Sequence, residues 1–182
     1  MKSAASLVVA LGLLAAPFSD DVAGTQATAL WRDPSPHQVR WVTVDSSVRL
    51  EVLDWGGSGP PLVLLGCYLT AHAYDDIAPK LTNQFHVYAI TRRGIGASDR
   101  PATGYTVRRS ADDVVEVLDS LNAQRSVLVG HSCSGQILTL FASQHSDRLS
   151  GLVYLDGASD PTTPAYPPVP IMSETTSWSR LR

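Results

Sequence analysis

The sequence predicts an α/β fold with a mostly parallel sheet that is opened by an antiparallel hairpin. Three observations lead to this prediction. Continuous apolar runs, typical of strands buried on both faces, recur along the chain. Amphipathic helical patterns alternate with these runs, and the links between them are short. The first two extended segments differ, because they are rich in β-branched residues and are separated only by a short polar turn.

The elements are predicted from the local pattern of each segment. The β-branched pair flanks Asp45-Ser46-Ser47, which indicates a hairpin. Thr106 is predicted to cap a helix whose apolar residues recur at helical spacing as far as Leu121. A shorter helix is predicted over Asp75–Leu81, and another has its apolar face over Ile137–Ala142. The predicted strands cover residues 40–44, 48–54, 61–65, 85–90, 126–130 and 152–156, and the last four are expected to be buried.

The two ends of the chain are expected to lie outside this fold. Lys2 precedes an apolar run from Ala4 to Ala16, and small residues follow, the pattern of a secretory signal peptide over residues 1–29. A buried or frayed N-terminal helix is the alternative. The signal predicts a secreted or periplasmic protein with no membrane association after its removal. Residues 30–160 are expected to form the folded domain, and the proline-rich residues 161–182 are expected to be a tail or part of a lid.

Composition excludes several classes of protein. The chain of 182 residues has 14 basic and 17 acidic side chains, so no broad surface is available to neutralise nucleic-acid phosphates. A partial match to a dinucleotide-binding turn, Gly94-x-Gly96, lacks the third glycine and follows a later strand. The histidines and cysteines show neither H-E-x-x-H nor C-x-x-C spacing, so we expect no metal site and no cofactor.

The strongest chemical signal lies between the predicted strand 126–130 and the helix after it. Gly130-His131-Ser132-Cys133-Ser134 fits the nucleophile elbow G-x-S-x-G, with serine in place of the second glycine. Such a turn exposes the Ser132 hydroxyl above the sheet, at a helix N-terminus that favours developing negative charge. The alternative interpretation is an ordinary N-cap serine in a Gly/Ser turn.

With this motif the chain resembles the α/β-hydrolase family over residues 40–160. The resemblance extends to other segments in the expected order, and it implies an α/β-hydrolase-like sheet that stops after its sixth strand. It also implies that the chain acts on a small-molecule substrate with an ester or related acyl bond. The supporting segments are Pro61–Tyr68, Asp75–Leu81, Thr91–Pro101 and Gly151–Ala158.

The resemblance assigns a role to individual residues. Ser132 would be the nucleophile, and the backbone N–H of Cys133 would be one oxyanion donor. The second donor would be Tyr68, with Cys67 as the alternative, because Gly66-Cys67 stands where the family usually has His-Gly. Cys67 and Cys133 would then lie close together, and we expect two buried thiols rather than a disulfide.

The general base is the part of the resemblance that the sequence does not complete. The family order is serine, then acid, then histidine, and the only histidine after Ser132 is His145, which is predicted to lie at the far end of a helix. His131 is expected to pack or to support the site, and His72 is a surrogate base only if it reaches the hydroxyl. Asp156 is the preferred acid; Asp160 and Glu174 are weaker candidates, and Asp156 could equally cap a turn.

Two interpretations therefore remain open at this point. One is a serine hydrolase whose sequence as given is incomplete. The other is a non-catalytic or degenerate member of the family that binds a ligand or is inactive. A sheet that ends at its sixth strand would also leave an apolar edge, so self-association through that edge is expected.

Overall fold

The computed structural model describes residues 33–157. The chain divides into two units, residues 1–33 and 34–182, and every element below belongs to the second. The proposed signal peptide, Asp160, Glu174 and the tail 161–182 lie outside the described residues. The strands are β1 (Gln38–Val44), β2 (Val48–Gly56), β3 (Pro61–Leu65), β4 (His86–Thr91), β5 (Ser126–His131) and β6 (Leu149–Leu155). The α-helices are α1 (Ala78–Leu81), α2 (Val107–Ser120) and α3 (Ser134–Gln144), and 3₁₀ turns cover Ala71–Tyr74 and Ser146–Arg148.

The described strands form one sheet in the order β1-β2-β4-β3-β5-β6. β1 and β2 form the predicted antiparallel hairpin, and β2 also pairs with β4 in an antiparallel sense. β4, β3, β5 and β6 are parallel neighbours, so their carboxyl ends lie along one edge of the sheet. The prediction of a mostly parallel sheet whose first two strands form an antiparallel hairpin is therefore confirmed.

Apolar residues cover both faces of this sheet. Helices α2 and α3 contribute to the core on one face, where Leu118 and Phe141 are fully buried. The 3₁₀ turn Ala71–Tyr74 and α1 contribute to the second core, around Trp55 and Val129. Burial on both faces explains why β3 and β4 read as continuous apolar runs in the sequence.

Helix α2 begins where the sequence predicts. The Thr106 hydroxyl accepts a hydrogen bond from the backbone N–H of Arg109 at 3.1 Å, as an N-cap should. A buried ion pair fixes the helix to the loop after β4, since Arg93 donates two hydrogen bonds of 2.7 Å to Asp113. Burial alone would lower the pKa of Arg93, but the bonds to Asp113 raise it, so this guanidinium stays charged.

Two predicted elements need correction. The helix predicted over Asp75–Leu81 is shorter, because α1 comprises only Ala78–Leu81 and a proline stands in its first turn. Proline is favoured there since that position needs no N–H donor, while the residues before it adopt turns. The last predicted strand starts earlier, at Leu149, and it is not buried: Val153 and Leu155 are each 41% exposed.

That exposure has a topological cause. β6 is an edge strand of the described sheet and pairs only with β5. Its apolar sequence is that of a buried strand, but fewer neighbouring residues cover it than that pattern predicts. Self-association through this edge stays a prediction. Among residues 33–157, no helix combines the length and the apolar character that crossing a bilayer requires.

Candidate active site

Ser132 occupies a sharp turn between β5 and α3. Its backbone φ is 55°, in the left-handed region that residues other than glycine seldom adopt. α3 begins two residues later, at Ser134, and the first N–H groups of a helix have no acceptor within it. The Ser132 side chain is half-buried. The described turn therefore has the strand–turn–helix context that the elbow motif requires.

The residues around Ser132 explain how so tight a turn packs. A Cβ atom on Gly130 would lie 2.9 Å from the side chain of Leu138, so this position has no room for a larger residue. Ser134, which replaces the second glycine of the motif, is fully buried, and its hydroxyl donates to the carbonyl of Gly66 at 2.8 Å. This serine therefore links α3 to the loop that follows β3.

A disulfide makes a second link between the same two segments. Cys67 and Cys133 are bonded, and their Cα atoms lie 5.0 Å apart. The expectation of two free thiols was wrong, because β3 and β5 are neighbouring parallel strands and their carboxyl ends lie within bonding distance of each other. The bond joins the residue before Tyr68 to the residue after Ser132.

Arg92 orients the loop that carries Tyr68. Its guanidinium donates to the carbonyl oxygen of Cys67, and this carbonyl belongs to the same peptide as the Tyr68 N–H. Described peptides are trans, so the Tyr68 N–H points away from Arg92. Burial lowers the pKa of Arg92 below its ordinary value, while Tyr68 and Tyr74 oppose that shift. Burial also raises the pKa of Tyr74 to about 12.

The end of β6 lies against the elbow. The backbone N–H of Ser132 donates to the carbonyl of Leu155 at 2.9 Å. A Cβ atom on Gly157 would lie only 2.3 Å from the Ser132 carbonyl oxygen. Asp156 stands between these two contacts, is exposed, and has φ of 49°. Its backbone therefore lies beside Ser132, while its predicted role as the acid stays a prediction.

Among residues 33–157, none of the hydrogen bonds that the histidine side chains make reaches the Ser132 hydroxyl. His145 follows α3, and the eleven residues of that helix place it about 16 Å along the axis from the elbow. His72 pairs with Asp75, and His86 pairs with Asp54. His131 precedes the nucleophile candidate, and its Nδ1 is buried without a hydrogen-bond partner in the described chain.

A grouping that the sequence analysis missed combines one residue before β1 with two residues after β3. His37, His72 and Asp75 each bring a side-chain donor atom to within 4.8 Å of the others. The expectation of no metal site relied on short motifs, and residues 37 and 72 are too far apart in sequence to form one. The only local pattern that could have indicated this cluster is the three-residue spacing of His72 and Asp75.

Comparison with known proteins decides the family. The α/β hydrolase fold model matches residues 60–177, well over half of the chain. The chain belongs to the α/β hydrolase fold family. It is 37% identical over 101 residues to a soluble epoxide hydrolase of Corynebacterium sp. (strain C12), and 30% identical over 101 residues to a 2-(acetamidomethylene)succinate hydrolase of Mesorhizobium japonicum.

Similar solved structures share the fold and give a measure of coverage. The structure of Est816, described as an N-acyl homoserine lactone degrading enzyme, matches with a TM-score of 0.60 and 34% identity, covering 63% of this chain and 44% of that one. Each of the two curated matches covers 55% of this chain, which spans only 35% and 36% of those two proteins. The resemblance to the α/β-hydrolase family is thus confirmed, and the relatives that the chain matches include hydrolases.

Proposed function

We propose that this chain carries the nucleophile of a serine hydrolase that acts on an ester or related acyl bond. The observation that supports the proposal is Ser132 at φ 55° between a buried parallel strand and a helix N-terminus. A hydroxyl in that position can approach the carbonyl carbon of a substrate bound at the carboxyl ends of the parallel strands. The similarity to an enzyme named for degrading acyl homoserine lactones supports the choice of an acyl bond.

The first chemical step follows from this arrangement. The Ser132 oxygen adds to the acyl carbon, its proton passes to a general base, and the carbonyl oxygen becomes an oxyanion. The N–H groups of Cys133 and Tyr68 would donate to that oxyanion. The disulfide and the Ser134–Gly66 hydrogen bond support this role, because they hold the two donor-bearing segments together.

The place where the protein works is part of the same proposal. A disulfide persists in oxidising surroundings, such as the periplasm or the exterior of the cell, and is rare in the cytosol. The Cys67–Cys133 bond supports an exported protein, in agreement with the signal-like residues 1–29. A small-molecule acyl compound is the proposed substrate, and no cofactor is proposed for its hydrolysis.

Site-selective labelling with a fluorophosphonate tests the nucleophile. Even without a triad histidine, an oxyanion hole and binding alone leave about 10³- to 10⁴-fold acceleration over water in serine proteases. We therefore expect slow labelling at a single site, lost in Ser132→Ala and followed by mass spectrometry of the intact chain. Ser143→Ala is the matched control, because Ser143 is an exposed serine on α3 and should leave labelling unchanged.

Two results would remove the proposal. One is an adduct that persists in Ser132→Ala, and the other is no adduct at Ser132 at all after long incubation. The second result would favour the alternative of a non-catalytic member that binds a ligand without turnover.

A further inference from the structure

We infer that His37, His72 and Asp75 form a binding site for a divalent transition metal, with Zn²⁺ as the best fit. The three residues bring their donor atoms to within 4.8 Å of one another. Two imidazoles and one carboxylate are a set of protein ligands that zinc sites combine. Nothing in the proposed hydrolysis requires this site, so the inference is independent of it.

The distances within the cluster match a tetrahedral ion. The Nδ1 atom of His72 lies 2.9 Å from one carboxylate oxygen of Asp75, and the Nδ1 atom of His37 lies 3.5 Å from the other. With metal–ligand bonds near 2.0–2.2 Å, neighbouring ligand atoms on a tetrahedral ion stand about 3.4 Å apart. The two observed separations lie on either side of that value, and the three residues' donor atoms all lie within 4.8 Å of one another, so side-chain movement can bring them onto one ion.

The arrangement of the two rings also fits. The centroids of His37 and His72 are 5.2 Å apart, and the ring planes are inclined at 65°. Two imidazoles bound through Nδ1 to one tetrahedral ion place their centroids roughly 5 Å apart. Both rings already turn Nδ1 toward Asp75, which is the orientation that shared coordination requires.

Neighbouring residues hold the proposed ligands in place. The Ser35 hydroxyl donates to the backbone carbonyl of Asp75 at 3.4 Å and accepts from the Trp55 indole at 2.8 Å. Trp55 in turn packs edge-on against the His37 ring. Such surrounding contacts orient metal ligands and raise affinity. The His37 side chain is only 6% exposed, whereas His72 is 37% exposed, which leaves a path for the ion from solvent.

The ligand chemistry selects the metal. Imidazole nitrogens suit Zn²⁺, Co²⁺, Ni²⁺ and Cu²⁺, whereas Mg²⁺ and Ca²⁺ prefer all-oxygen surroundings. A bound ion would join the segment before β1 to the segment after β3. Because binding to the folded state alone stabilises a protein, Zn²⁺ should also raise its melting temperature.

Titration of the metal-stripped full chain with zinc chloride tests the inference. Calorimetry should show one Zn²⁺ per chain, and Co²⁺ should give the visible absorption of a tetrahedral complex. We expect His37→Gln and His72→Gln each to weaken Zn²⁺ binding at least about tenfold. His86→Gln is the matched control, because His86 also pairs with an aspartate, Asp54, at 2.8 Å but has Arg40 rather than a second histidine beside it.

The outcomes separate a metal site from a simple hydrogen-bonded cluster. Equal Zn²⁺ affinity in the three histidine variants, or no stoichiometric binding by the unaltered chain, would overturn the inference. Far-UV circular dichroism shows whether each variant folds. Asp75→Asn supplies a further variant of nearly unchanged shape, which should also lose affinity.

Discussion

Ser132 holds a backbone conformation that costs energy for any residue with a side chain. Non-glycine residues in the left-handed region are strained by roughly 1–3 kcal/mol, and such strain collects at functional sites. The contacts that hold it there are specific: its N–H is bonded to Leu155, and Gly157 lies against its carbonyl. The strained serine therefore depends on the close approach of the chain after β6.

Replacing Gly157 with alanine should disturb this contact. The new Cβ would lie 2.3 Å from a backbone oxygen of Ser132, too close to accept without movement. We expect Gly157→Ala to lower the free energy of unfolding by about 1–3 kcal/mol, measured by urea denaturation. Gly151→Ala is the control, since its Cβ would meet only the Val127 side chain at 3.7 Å. Equal stability of the two variants would contradict this account of the elbow.

The sequence predicted the turn at Ser132, but it did not predict the contacts that hold this turn against the rest of the fold. Gly130 and Ser132 stand at the spacing of a known motif, so the turn could be predicted locally. The hydrogen bond from Ser134 to Gly66 joins residues 68 positions apart. Only the parallel pairing of β3 with β5 brings them together, and no local pattern encodes that contact.

Among the elements, the loop after β3 depends most on covalent and ionic support. The disulfide closes a separation of 66 residues between the two segments of the proposed oxyanion hole. Arg92 is the second restraint on this loop, because its guanidinium donates to the Cys67 carbonyl. Loss of either restraint should loosen the peptide that carries the Tyr68 N–H.

Reduction of the disulfide should therefore affect stability and reactivity together. We expect the Cys67→Ser/Cys133→Ser variant to lose about 2–4 kcal/mol of unfolding free energy, because the bond restrains a long loop in the unfolded chain. Fluorophosphonate labelling of Ser132 should slow as well. The chain has only two cysteines, so dithiothreitol should reproduce both effects in the unaltered chain and change nothing in the double variant. Unchanged labelling after reduction would show that the bond does not position the loop.

Element boundaries show where local patterns succeed. The N-cap of α2 and the run of β3 were predicted correctly, because capping chemistry and apolar runs are local signals. β6 was misjudged, because burial depends on what packs against a strand and not on its own residues. α1 was overestimated because the turns before Pro79 share the composition of a helix.

At the scale of the whole molecule, the sheet of the described residues has an exposed edge at β6. Val153, Tyr154 and Leu155 are exposed there, and exposed apolar edges favour pairing with another chain. We predict concentration-dependent self-association, measured by sedimentation velocity. A charge on the edge should oppose it, so Val153→Lys should shift the chain toward monomer. Identical sedimentation of both proteins at all concentrations would contradict the prediction.

The fold and the family followed from the order of elements, whereas the complete chemistry did not. Alternating strands and helices restrict the topology to a few arrangements, and the elbow selects among them. A general base must come from a distant part of the chain to reach the nucleophile, and within residues 33–157 no histidine is hydrogen-bonded to Ser132. The cluster of His37, His72 and Asp75 was hidden for the same reason.

A crystal structure of the phosphonylated chain would test the central claim most directly. The account predicts phosphorus bonded to the Ser132 oxygen, with the phosphoryl oxygen about 2.7–3.1 Å from the backbone nitrogens of Cys133 and Tyr68. Phosphorus on another residue, or a phosphoryl oxygen turned to solvent and bound by neither amide, would contradict it.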